Sequence, residues 1–261
     1  SLGLYLIMSS LGFVDLSLWE LAKSLLPITR VTWWFFNCFL ALYILSPLIN
    51  KGLSMLNKAQ IILMLGLLFY VGYINFVPFN LVAGNGFSVY SFVFIYILAY
   101  FFRRFDIRVK KPLLVYLVSA LIIFTLSYFL LMKGQISASW SMFAYNNPFV
   151  LIAAIGLFFT FKGLKIQRNY INIISSFTFG IYLFHEIGYV SLRLVDIVKY
   201  MQVTIENQAL LFASLLALAI VIFIVGMLFD KIRQIVCKPL VDWLMNSKIA
   251  QKTQAHLDSK N

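Results

Sequence analysis

The chain has 261 residues, of which 62% are apolar, 17% aromatic and only 11% charged, with a formal charge of +12. A water-soluble domain carries roughly 25% charged residues, and even one of about 300 residues buries only about 75% of the surface of its unfolded chain, so the apolar excess must face lipid. The Lys and Arg residues fall in short clusters between long apolar runs, which is the pattern of membrane topology and excludes a nucleic-acid footprint.

The sequence opens Ser1-Leu2-Gly3-Leu4-Tyr5, without an initiator Met, a basic leader region or a small-residue cleavage site. No signal peptide is therefore read, and the sequence is expected to start partway into a longer protein. Apolar stretches of membrane-crossing length, roughly 17 to 25 residues, follow in order. After a stub at 2 to 14, spans are predicted at 32 to 49, 61 to 77, 88 to 102, 113 to 132, 148 to 161, 171 to 190 and 208 to 229. The fold class is thus all-α, a polytopic transmembrane helix bundle of about eight spans. Residues 1 to 229 form one transmembrane domain, and residues 230 to 261 a basic cytoplasmic tail.

The loops test this count, because Lys and Arg concentrate on the cytoplasmic side of a membrane. One alternating set, running through Lys51 and Lys58, Arg103 to Lys111, Lys162 to Arg168 and the C-terminal tail, holds 16 of the 21 basic residues. The opposite set, with Lys23, Arg30, Lys133, Arg193 and Lys199, holds 5. A miscounted helix would invert every later loop, so the split supports both the spans and a cytoplasmic C-terminus. Trp33, Trp34, Tyr100, Trp140 and Trp243 suit an interfacial belt. In the tail, Ile232, Ile235, Val236, Leu240, Val241 and Leu244 either line a basic helix on the inner leaflet or belong to a solvated end.

Residues able to carry chemistry are few. In the first full span Trp34, Asn37 and Tyr43 precede Ser46 and Pro47, and the Pro sits where a lost backbone hydrogen bond is tolerable. The outer connection Ser137 to Pro148, with Trp140, Tyr145 and Asn146, combines polar and aromatic groups that stack on sugar rings, although its aromatics equally suit a belt. Lys162-Gly163-Leu164-Lys165 and Arg103-Arg104 can meet an anionic cytosolic ligand, and orientation alone also explains them. The clearest candidates are His185 and Glu186, because an ionisable group inside a span is costly. Ser175, Thr178, Tyr182, His185 and Tyr189 recur at helical spacing and define one polar stripe. Two readings of His185 stand: a hydrogen bond to a neighbouring helix and nothing more, or a role in catalysis. His256 lies in the tail and is expected to be inert. Cys38 and Cys237 offer no disulfide framework, and no metal-ligand spacing, phosphate-cradling glycine pattern or nucleophile elbow is present, so no bound metal or cofactor is expected.

Three segments taken together resemble the integral-membrane acyltransferase 3 family. They are Trp34-Phe35 with Tyr43, Ser46 and Pro47; Tyr145-Asn146-Asn147-Pro148 with Phe161-Lys162; and Phe177-Thr178-Phe179-Gly180-Ile181-Tyr182-Leu183-Phe184-His185. The stretch from Gly86 to Arg104 is similar to a further span of the family, with Ala99 where Gly is usual. Each motif alone is weak; their order and spacing from Trp33 to about Tyr189 carry the match.

The resemblance implies transfer of an acyl group, usually acetyl, from an acyl-CoA donor such as acetyl-CoA on the cytoplasmic side to a hydroxyl of a cell-surface glycan. It implies a bacterial inner (plasma) membrane location, with membrane lipids and a glycan acceptor as partners. His185 and Tyr182 would hold supporting catalytic roles, and Glu186, Trp34, Tyr145, Asn146 and Trp140 would contact substrate. Family members typically span ten times, and their first span carries a basic residue followed about ten positions later by the main catalytic His, a general base for the acceptor hydroxyl. No such segment occurs here. The eight spans would be the third to tenth, and the sequence is expected to lack the two N-terminal ones, leaving its own activity open. A transporter or flippase for a lipid-linked sugar is the alternative; no inverted or parallel repeat favours it.

Overall fold

A computed structural model describes residues 33–74 and 84–246, with residues 9, 10, 12, 15 and 17–19. Apart from those few positions the expected stub at 2 to 14 lies outside the described residues, as do Lys23, Arg30 and His256. Among the described residues every regular element is helical and none is a strand. The chain divides into two compact units: Trp34–Ile166, and Gln167–Asn261 together with Ser1–Trp33.

The first unit begins with α1, Trp34–Met55, and α2, Lys58–Tyr73. A reciprocal capping box starts α2. The Gln60 N–H donates to the Asn57 side chain and the Asn57 N–H to the Gln60 side chain, each at 2.9 Å, so two N-terminal donors are satisfied before the apolar run begins. After a 3-10 turn at Gly84–Gly86 comes α3, Val89–Arg104, capped by the Ser88 hydroxyl. Then follow α4, Pro112–Met132, the short α5, Ile136–Ser141, and α6, Pro148–Lys162. Pro112 and Pro148 both stand in the first helical turn, where a missing N–H costs nothing.

Leu53, Ile61, Leu65, Tyr73, Phe94, Ile97 and Leu151 form the core of this unit. Most other large apolar side chains, such as Leu63, Leu67, Leu121 and Phe124, point outward. Lipid is as apolar as those side chains, so helices associate here through close packing and buried polar contacts. Two contacts show this directly. A methyl group on Gly156 of α6 would lie 2.7 Å from the Tyr116 nitrogen of α4, so the two helices touch backbone to backbone. Ser127 of α4 and Ser139 of α5 are both buried, with hydroxyls 2.8 Å apart, and the Ser139 hydroxyl donates to the Ser127 carbonyl at 3.0 Å.

The second unit contains α7, Asn169–Ser176, α8, Thr178–His185, α9, Gly188–Thr204, and α10, Gln208–Met245. Among the described residues, three helices are long and apolar enough to cross a membrane: Trp34–Met55, Pro112–Met132 and Gln208–Pro239. Asn169–His185 and Val190–Thr204 meet that test only as a pair bent by 84°.

Two segments differ from the sequence expectation. The single span predicted at 171 to 190 is interrupted at Phe177 and ends at His185; Ile187 is extended (ψ 125°), and a new helix opens at Gly188, inside the predicted span, and runs to Thr204 through the stretch expected to be an outer connection. The last helix does not stop near residue 229 but runs on to Met245, 38 residues in all from Gln208, about 57 Å at 1.5 Å per residue. It passes Asp230 because that carboxylate is neutralised within the helix, as described below.

Candidate functional site

The first unit gathers aromatic rings around the start of α1. Trp34 opens that helix, and Tyr145 reaches it from the loop before α6, stacking at 5.9 Å between centroids and 28° between planes. Phe87 closes the group, 4.4 Å from Trp34 and 5.1 Å from Tyr145. Phe35 and Phe92 extend the cluster behind it.

Local chemistry places these rings. The Asn147 side chain accepts from the Phe149 N–H at 2.9 Å and Pro148 starts the helix, so the loop must turn at Tyr145-Asn146. Asn146 is buried, with its Nδ2 3.4 Å from the Gly72 carbonyl, a long contact that ties the loop to the end of α2. Gly86 has φ +94°, and a methyl group there would lie 2.3 Å from the Tyr145 Cβ. Only glycine meets both demands. Tyr145 and Phe87 remain about half exposed, leaving ring faces open. Trp140 sits on α5, 73% exposed, and has no part in this stack.

The second unit carries the ionisable group of residues. His185 ends α8, with its Nδ1 2.9 Å from the Ile181 carbonyl. A carbonyl only accepts, so Nδ1 carries a hydrogen, and the tautomer with that single ring hydrogen has its lone pair at Nε2. That nitrogen lies 3.6 Å from a Glu186 carboxylate oxygen, with both side chains a little over one third exposed. The Tyr182 ring packs edge-on against the imidazole at 6.0 Å. Three predicted site residues thus come together on one helical turn. The continuous polar stripe does not persist: the Ser175 and Thr178 hydroxyls donate to the Asn172 and Ser175 carbonyls, and the chain turns before residue 189.

Sequence reasoning missed what lies under this turn. A methyl group on Gly180 would fall 2.0 Å from the Asp230 carboxyl group of α10, and one on Gly226 3.1 Å from Ile181. Asp230 is 1% exposed; its oxygens accept from the Arg233 Nε and the Gln234 Nε2, both at 2.7 Å. The signal was an acidic residue three and four positions before an Arg and a Gln at the end of an apolar run, which the sequence reading took for a boundary.

Of the basic candidates, Arg104 is committed to structure, donating to the Leu53 carbonyl at 2.7 Å. Lys162 and Gly163 line an open hollow of about 320 Å³ with Arg108, itself paired to Asp106 at 2.7 Å. No cluster of three or more potential metal-ligating side chains occurs among the described residues.

With this geometry in hand, comparison with known proteins gives one positive result. The model of the acyltransferase 3 family, described as an acyltransferase domain, matches residues 1–229. No curated protein and no solved structure matches.

Proposed function

Because the chain belongs to that acyltransferase family, we propose that it is the membrane part of an O-acyltransferase moving an acyl group, most simply acetyl, from an acyl-CoA donor to a glycan hydroxyl. Membership and the apolar helices make it a membrane protein with an acyltransferase domain. The donor binds from the cytoplasm, the acceptor is a cell-surface polysaccharide of a bacterium, and the C-terminus stays inside.

The observation that carries this reading is the His185 geometry. With Nδ1 engaged by the Ile181 carbonyl, Nε2 is the nitrogen left to accept, and the Glu186 carboxylate 3.6 Å from it can stabilise positive charge. A glycan hydroxyl is a poor nucleophile until its proton is drawn away. In this reading Nε2 accepts the hydrogen bond of that hydroxyl as its oxygen attacks the thioester carbonyl. The new C–O bond forms, the C–S bond breaks, and the departing thiolate takes up the proton. Tyr182 holds the imidazole edge. Taken by itself, the first unit offers the open faces of Trp34, Phe87 and Tyr145, a surface of the kind that stacks on sugar rings. Lys162, beside the hollow where Arg108 is paired to Asp106, supplies charge of the right sign for donor phosphates.

The test is ester analysis of the surface glycans of cells carrying the gene, lacking it, or carrying His185→Ala in the full-length protein. Loss of the gene should remove an ester, and His185→Ala should lower transfer by about a hundredfold or more at unchanged membrane abundance. An unchanged glycan on deletion would refute the reading and favour a carrier for a lipid-linked sugar. Retained transfer in His185→Ala would remove this residue from the mechanism.

A further inference from the structure

Asp230 is the most deeply buried charge among the described residues, yet neither the composition nor the His185 chemistry calls for it. A carboxylate taken out of water is costly unless paired and hydrogen-bonded. Here both oxygens are held, one by a guanidinium and one by an amide, each 2.7 Å away and each from the next turn of the same helix. Because the partners lie at i+3 and i+4, α10 satisfies its own charge. What remains for the opposite side of the carboxyl group is α8, and there it meets Gly180, the residue that has no side chain to obstruct it.

The contact recurs one helical turn away. Gly226 of α10 receives Ile181 of α8, and Phe184 packs on Phe229 at 4.9 Å between centroids. The interlock therefore reads small against large in both directions: the α8 glycine takes an α10 side chain, and the α10 glycine takes an α8 side chain. Such an arrangement fixes the rotation of α8 about its axis as well as its distance. Ile181, held by Gly226, is also the residue whose carbonyl engages the His185 Nδ1.

We infer that Asp230, locked by Arg233 and Gln234 and seated on Gly180, is a positioning residue that sets the rotation of α8 and through it the direction of the His185 Nε2. This rests on the proposed role of His185. Asp230 does not touch the imidazole, and its influence passes through the helix. A carboxylate suits the seat because its planar end fits against a bare glycine backbone while accepting from both partners. An amide keeps that shape but gives up the charge that holds Arg233 and brings its own donor toward the Gln234 amide.

The experiment uses the full-length protein in lipid nanodiscs. Asp230→Asn should lower kcat about tenfold while the donor KM stays within about twofold, the signature of a misaimed group rather than lost binding. Hydrogen–deuterium exchange supplies a readout independent of turnover. Peptides covering residues 178 to 186 should exchange about tenfold faster in the variant, while those from α4 do not change. Faster exchange with lowered kcat supports the inference. Unchanged exchange overturns it whatever the activity, and faster exchange with full activity overturns the link to catalysis. If Asp230→Asn fails to accumulate in membranes, Arg233→Gln, which loosens one hold and leaves the seat filled, should show both changes to a smaller degree; wild-type behaviour there equally overturns it. His185→Ala run in parallel separates the failures. Retained transfer in that variant defeats the catalytic reading, whereas lost transfer with unchanged exchange in Asp230→Asn defeats only the positioning role.

Discussion

Replacing Gly180 with Ala adds one methyl group at the tightest seat in the second unit. Built on the existing backbone, that methyl carbon lies 2.0 Å from both the Asp230 Cγ and Oδ1 and 2.5 Å from its Cβ. Ordinary contact begins near 3.5 Å, so the carboxyl group must retreat by about 1.5 Å. It cannot swing away cheaply, because its two oxygens are held at 2.7 Å by Arg233 and Gln234. The helices must therefore part, or the buried charge must lose a partner. Overpacking of this kind costs about 1–3 kcal/mol. Against it stands the better helix propensity of Ala, about 1 kcal/mol in a helix interior. The net expectation is a loss of up to about 2 kcal/mol. Gly66 of α2 provides the control, since it also lies within a helix but has nothing within 4 Å of the added methyl group. Gly66→Ala should gain up to about 1 kcal/mol. Reversible denaturant unfolding in detergent micelles, with Trp fluorescence as the signal, would rank the two. Gly180→Ala gaining stability as Gly66→Ala does would refute the seat.

Two further outcomes follow from the first unit. Tyr145→Ala removes one face of the Trp34 and Phe87 stack and should raise the acceptor KM about tenfold, equivalent to about 1.4 kcal/mol. Tyr128→Ala, a change at an exposed position of α4, should move it less than about twofold, and initial-rate kinetics with a soluble oligosaccharide acceptor would compare them. Ser127→Ala removes the hydroxyl–hydroxyl hydrogen bond, while the Ser139 hydroxyl keeps the Ser127 carbonyl, and should destabilise by about 1 kcal/mol, read as a lower unfolding midpoint; wild-type stability would show the pair to be idle.

The helices were legible because lipid imposes a coarse rule of long apolar runs, although only three of them, among the described residues, are long and apolar enough to cross a membrane. Trp34, Pro112 and Pro148 fall within two residues of the predicted starts, since caps and first-turn prolines are local signals. The His185 and Tyr182 pairing was legible for the same reason, being a spacing of three on one helix. What escaped was non-local. No local pattern says that Phe87 would join Trp34 and Tyr145, because those residues come from three separate segments. The break after His185 escaped too. Ile187 and Gly188 look like ordinary members of an apolar run, and hydropathy alone does not distinguish a straight span from one bent by 84°.

Asp230 shows how a rule that works on average conceals a site. Reading a charge as the end of a span assumes that the charge seeks water, and for an isolated carboxylate it does. The assumption fails when the next helical turn supplies the partners, because the charge then travels with its own solvation and the helix continues through it. That option leaves a trace in sequence: acidic, then basic and amide at three and four positions, beside an apolar run that contains glycine. Asp230, Arg233 and Gln234 after Gly226 fit it, and their opposite number is the Gly180 that precedes the candidate histidine. Within the second unit, the charge that seemed to mark the edge of the membrane domain is joined by direct contact to the helix with its best catalytic candidate.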